Sequence, residues 1–442
     1  MRPFNRTSGL LIGGLATALA AALLWWSTGS RAAEAGPYRP GPRPHLDHSA
    51  FFTKAFKSGP EVTKACLQCH EQEAHDLHGT PHWQWLGEEE QVPGTDRRLR
   101  MGKKNLINNF CISIQGNWDG CTKCHAGYGW KDAQFDFDDL TQMDCLVCHD
   151  QSGSYAKTKA GWPRKDADLL VAAKSVGTPT RAACGSCHTY GGGGLAVKHG
   201  DLDTTLDHPD ELDDIHMGRA GFLCVDCHGG HGHNIRGKAI AVSTNADNGI
   251  SCTNCHAAEP HGDERIDAHT ARVACQSCHI PYFALSIPTK MWWDWSKAGD
   301  DSRQDDIHHY LKIKGEFRYD SHVTPEYYWF DGTADRYLLG DRIPEEGPVP
   351  INMPRGANRG PGAKIWPFKV HRAKQPFDTE HRTLLAPITA GEGGFWSDFD
   401  WDQAFRLAVK HTGLAYSGHY GFVETEMYWP INHMVQPKDR AL

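Results

Sequence analysis

The stretch Cys121-Thr122-Lys123-Cys124-His125 decides how this chain is read, because its pattern Cys-x-x-Cys-His occurs seven times. The other copies are Cys66, Cys69 and His70; Cys145, Cys148 and His149; Cys184, Cys187 and His188; Cys224, Cys227 and His228; Cys252, Cys255 and His256; and Cys275, Cys278 and His279. Two thiols three apart followed at once by an imidazole form the attachment signature of c-type haem. The cysteines make thioethers to the porphyrin and the histidine binds the iron. At this chain's Cys and His frequencies, chance gives about 0.03 copies. Zinc ribbons also use Cys-x-x-Cys pairs, but they do not require a histidine directly after the second cysteine. The expected cofactor is therefore seven covalent haems c, held by these fourteen cysteines, with seven proximal ligands.

Outward from the motifs, the chain divides into four. Arg2 and Arg6 open a basic start, Leu10 to Trp26 is an uncharged, mostly apolar run, and Ala33-Glu34-Ala35 offers a cleavage site. Residues 1–35 thus read as an export signal. The competing reading is an uncleaved anchor, which the run's length, about 26 Å as a helix, fits less well. The expected location is periplasmic, with membrane contact only if that segment is retained. Residues 36–65 are rich in Pro and Gly and expected to be extended. Residues 66–279 carry every motif, at spacings too irregular for a solenoid. Residues 280–442 carry none, but hold eight of the 15 tryptophans. This region is expected to wrap the haem core, with a helix over Asp400 to His411 from the spacing of Trp401, Phe405, Ala408 and Val409. The fold class expected is a multihaem cytochrome c of mainly short α-helices and irregular chain around closely packed haems, with little β.

The formal charge is −8 with His neutral, and haem propionates add to it, which argues against nucleic acid as a partner. The sixth iron ligand decides between a wire and an enzyme. Irons capped by strong ligands only pass electrons; a weakly capped one can bind substrate. Twenty of the 27 histidines lie outside the motifs. Candidate distal ligands are His82, His216, His233, His261, His269, His371 and His433. Met217 and Met434 are weaker candidates, since Met usually raises the potential.

Between and beyond the motifs the chain resembles the octahaem tetrathionate reductase family of c-type cytochromes. The stretches are NNFCIS (Asn108–Ser113), HTYGGGGLAVKHGDLD (His188–Asp203), RVACQSCHIPYFA (Arg272–Ala284), KIWPFKVHRAKQPFD (Lys364–Asp378), SDFDWDQAF (Ser397–Phe405) and ETEMYWPINHMVQPKDRAL (Glu424–Leu442). The resemblance implies mostly bis-histidine haems and one haem with a distal lysine and a nearby free cysteine. Carried over, that haem is the second, on Cys121, Cys124 and His125. Its distal ligand is Lys198, with His199 the adjacent rival, and its thiol is Cys111, the one cysteine outside a motif. The implied chemistry is reduction of tetrathionate, and also of nitrite or hydroxylamine. The implied partners are a small anionic substrate and a quinol-linked or periplasmic cytochrome as electron donor. Lys103, Lys104 and Lys123 are positioned in sequence to attract an anion. The alternative is a non-catalytic cytochrome linking inner-membrane quinol oxidation to an external acceptor. The family has eight haems. Its last motif follows a tail like HMVQPKDRAL, so either a longer gene product adds an eighth motif or this is a seven-haem form.

Overall fold

Each Cys-x-x-Cys-His copy lies on or at the end of a short helical turn. In this computed structural model the described residues are 40–442, except 42, 44, 93–94, 111–112 and 243–247. The expected signal segment and Cys111 lie outside them. The first motif ends the helix Gly59–Cys66, where Ser58 accepts a hydrogen bond from the Glu61 amide and Pro60 occupies the first turn. This helix starts inside the stretch read as extended. The fourth motif fills the helix Arg181–His188, capped by Thr180 through the Ala183 amide. The others ride on still shorter turns, such as Leu146–His149, Cys224–Cys227 and Cys275–His279. So much irregular chain is what a polypeptide shows when haems rather than side chains are meant to fill its interior.

The expectation of little β is overturned. An eight-stranded mixed sheet runs through the C-terminal region. Its strands are Thr289–Asp294 (β1), Tyr310–Leu311 (β2), Gly315–Asp320 (β3), Glu326–Phe330 (β4), Val349–Pro350 (β5), Lys364–Asp378 (β6), Thr383–Leu384 (β7) and Tyr420–Pro430 (β8). The order is β5-β8-β6-β1-β3-β2, with β4 and β7 also paired to β6. The long pair β6 and β8 is antiparallel from Phe368↔Pro430 to Asp378↔Tyr420, whereas β6 and β1 run parallel. The physical reason is the aromatic and β-branched content of these segments, which suits a pleated, buried surface. The expectation from the sequence is a wrapping region with one helix and little β.

One face of the sheet packs against the loop that leads toward the second motif. Its cluster joins Trp293, Trp295, Trp429, Met427 and Ala373 of the sheet region to Ile107, Phe110 and Val197. Trp293 and Trp295 stack with ring centres 4.6 Å apart, and burial of each such side chain contributes roughly 1.5–3 kcal/mol. The helix expected over Asp400 to His411 is present as Trp401–Thr412, with Asp400 as its cap. Trp401, Phe405 and Ala408 face inward, while Val409 is exposed.

Candidate haem centres and the Lys198 site

Six of the seven motif histidines face a second histidine across a nearly constant gap. The ring centres of His70 and His48 are 6.2 Å apart, His149 and His233 6.3 Å, and His188 and His82 6.1 Å. Those of His228 and His433 are 6.1 Å apart, His256 and His216 6.0 Å, and His279 and His261 6.2 Å. Two metal–imidazole bonds of about 2.0–2.1 Å, plus the ~1 Å from each nitrogen to its ring centre, come to roughly 6.0–6.2 Å. The gap therefore fits one iron between each pair.

The ring nitrogens agree with that fit. Where a partner is found for these imidazoles it is on Nδ1: His149 to the Gly177 carbonyl at 2.8 Å, His228 to the Arg236 carbonyl at 2.8 Å, and His48 to the Leu46 carbonyl at 2.7 Å. His261 Nδ1 meets Asp267 at 2.7 Å and His433 Nδ1 meets Asp201 at 3.0 Å. A metal-bound imidazole is oriented in this way, with Nε2 left for the metal. Burial holds His82, His149, His216, His228 and His279 below the usual imidazole value, and His188 down at about 3. They stay neutral, as ligation requires.

Five of the seven candidate distal histidines thus stand opposite a motif histidine: His82, His216, His233, His261 and His433. The structure brings neither His269 nor His371 to one. His269 ends the exposed helix Glu264–His269; His371 lies fully buried in β6. The residue that sequence reasoning missed is His48. Its one signal is the pair His45 and His48 ahead of the first motif, in the stretch expected to be extended.

Contacts between motif thiols order the centres in space. Cys66 lies beside Cys145, Cys184 beside Cys224, and Cys252 beside Cys275. Cys148 lies near Cys184 and Cys227 near Cys255. The run is first, third, fourth, fifth, sixth, seventh. The second motif hangs on the fourth, through Cys124 and Cys187.

That second motif differs from the rest. Among the described residues no histidine stands across from His125; its ring is enclosed by Trp83, Trp85, Trp130, Phe135 and Phe137. Its Nε2 donates to the Trp83 carbonyl at 2.7 Å and its buried Nδ1 has no partner, so iron ligation through Nε2 requires release of that carbonyl. Burial, with the cations Lys157, Lys104 and Lys103, drives the ring down to about 3. Lys157 bonds the carbonyls of His125 and Gly127, the latter at 3.0 Å, and pairs with Asp144 at 3.0 Å. Asp144 also accepts from Tyr128 and Tyr155.

Lys198 follows the fourth motif through the glycine run. A Cβ on Gly191 would come within 3.1 Å of the Lys198 side chain, so glycine lets that side chain pack back on the loop. The backbone beneath it is held at several points. Ala196 adopts a left-handed φ of 53°, and its carbonyl accepts from Thr289 Oγ1 at 2.6 Å. The Val197 carbonyl accepts from Lys369 Nζ at 2.8 Å. Lys198 Nζ lies 4.6 Å from the ring centre of Trp429 in β8, and the His199 ring packs on the same indole at 5.1 Å. The C-terminal sheet is thus the floor under Lys198.

The motif turns and paired imidazoles define a multihaem c-type cytochrome, an electron-transfer protein. The family model "Cytochrome c bacterial" matches residues 290–442, and "Outer membrane cytochrome MtrC/MtrF-like, domains II/IV" matches residues 131–238. An uncharacterized protein of Archaeoglobus fulgidus is 25% identical over 239 residues, 42% of this chain and 80% of that one. The octahaem cytochrome c of Shewanella oneidensis is 45% identical, with 90% of this chain and 92% of that one covered and a TM-score of 0.84. The chain belongs to the octahaem cytochrome c family. Among the described residues no helix is long and apolar enough to cross a membrane.

Proposed function

We propose that this chain is a periplasmic reductase carrying seven haems c. A quinol-linked or periplasmic cytochrome delivers electrons, the histidine-paired centres carry them, and a small substrate takes them at the second motif. The substrates this reading names are tetrathionate, nitrite and hydroxylamine. Haem iron, when bound, supplies one-electron exchange at every centre and a coordination position wherever its distal ligand can be displaced. Lys198 is the distal residue of the second centre, and Cys111 is the thiol placed beside it. The single observation that carries the reading is that, among the described residues, His125 alone of the motif histidines lacks a histidine across from it.

Lysine binds a metal only as the neutral amine, so protons compete with the iron and the bond opens more readily than one to imidazole. Lys103, Lys104 and Lys157 surround His125 with positive charge and favour anions. The contact of Cys124 with Cys187 gives electrons a route from the fourth centre. The six paired centres, taken alone, favour the second reading, an electron carrier without catalysis. Dye-donor assays separate the two. Lys198→Ala and Cys111→Ala are expected to change turnover of tetrathionate, nitrite or hydroxylamine at least tenfold. Full activity of both variants on all three substrates overturns the assignment. Intact mass is expected to exceed the apoprotein by seven haem masses.

A further inference from the structure

His371 was a candidate iron ligand, yet no motif histidine faces it, and it is not a satisfied core histidine either. It is fully buried, and among the described residues its Nε2 has no hydrogen-bond partner. Leaving a buried polar nitrogen unpaired forfeits its hydration with nothing in return, so an orphan of this kind calls for a reason.

Asn109 fixes the chemistry of that nitrogen. Its Nδ2 donates to the His371 carbonyl at 2.7 Å, which leaves Oδ1 as the atom facing His371 Nδ1 at 2.9 Å. An amide oxygen only accepts, so Nδ1 must carry the proton. Burial keeps the ring neutral. Nε2 is therefore a bare lone pair, held in one tautomer. It takes a hydrogen-bond donor and repels an electron-rich oxygen.

His371 belongs to the Lys198 site by position. On β6 it is two residues from Lys369, whose partner on β8 is Trp429, so His371 and Trp429 share one face. The Phe110 ring lies 5.7 Å from His371 and 5.7 Å from Trp429, the indole beneath Lys198. Asn109 and Phe110 are the residues directly before Cys111.

We propose that His371 Nε2 is a specificity-determining acceptor in this site. It orients ligands that carry an N–H or O–H bond, with Asn109 as the positioning residue that sets its tautomer. The inference rests on the reading of Lys198 as the distal residue of a substrate-binding centre.

The test compares two small nitrogen ligands in the fully haem-loaded protein. Hydroxylamine carries N–H and O–H donors; nitrite at neutral pH carries none. Optical titration of the oxidised protein gives dissociation constants, and dye-donor assays give KM and kcat. His371→Leu is expected to weaken hydroxylamine about tenfold in both Kd and KM and to leave nitrite within about twofold. His371→Gln, which restores an acceptor oxygen, is expected to recover most of the loss, and so guards against misfolding of the Leu variant. Equal effects on both ligands, or none on hydroxylamine, overturn the proposal. If Lys198→Ala leaves the haem spectrum and both affinities unchanged, it is the underlying site reading that fails.

Discussion

His82 lies opposite His188 at 6.1 Å, although 106 positions separate them in the chain. That relation recurs at five other motifs and, among the described residues, is absent at His125. An iron capped by two imidazoles is shielded and passes electrons. One without a second imidazole is where chemistry can enter.

His48 is expected to be the distal residue of the first centre. His48→Ala should convert one haem of the set to a high-spin species, visible by magnetic circular dichroism. His45→Ala is the control, since that ring packs on His48 at 5.5 Å and, among the described residues, stands across from no motif histidine. An unchanged spin state in His48→Ala rejects the assignment.

The buried pair of Lys157 and Asp144 bridges the second and third motifs. Their side chains are 4% and 0% exposed. Removing one member leaves the other charge without compensation, a loss of roughly 3–5 kcal/mol. Asp144→Ala is expected to lower the thermal unfolding temperature markedly, and more than Asp144→Asn, which keeps an acceptor oxygen for one of the two tyrosines, Tyr128 or Tyr155. Equal, small shifts in both variants would contradict the role given to this pair.

The fully buried Lys369 gives a pH signature. Burial, against the pull of Asp201, brings its amine down to about 7. The neutral amine still has two protons for its two acceptors, the Val197 carbonyl and Thr289 Oγ1. Between about pH 7 and ~10.4 the unfolded chain holds a proton that the folded one has lost. Stability from this group therefore rises with pH across that window, by at most about 1.4 kcal/mol per pH unit, and is lost as pH falls to 7. Lys369→Met should flatten the rise in unfolding temperature over this window. A slope identical to the parent's would show that Lys369 stays charged.

What was legible in the sequence follows from what is local. A haem motif is five consecutive residues, so all seven proximal histidines could be named. A distal ligand is set by long-range packing, and nothing near His48 announces its partner. The sheet escaped for a different reason. The buried face of β6 reads Lys369, His371, Ala373 and Gln375, all fully buried, so the apolar alternation that reveals a strand is replaced by polar residues serving the site. Gln375 reaches the Asn108 carbonyl at 3.0 Å, as Asn109 reaches His371. The strand's missing hydrophobic signal and the site's floor are the same residues. The assignment of Lys198 and Cys111 rests on resemblance, because a lone lysine after a glycine run has no pattern of its own.

Low-temperature electron paramagnetic resonance of the oxidised, fully loaded protein tests the central claim most directly, on the parent and on Lys198→Ala. The parent should show bis-histidine signals together with one distinct low-spin species, integrating to one haem in seven. In Lys198→Ala that species alone should disappear, replaced by a high-spin signal. Seven bis-histidine haems in the parent, or a spectrum untouched by the substitution, would contradict it.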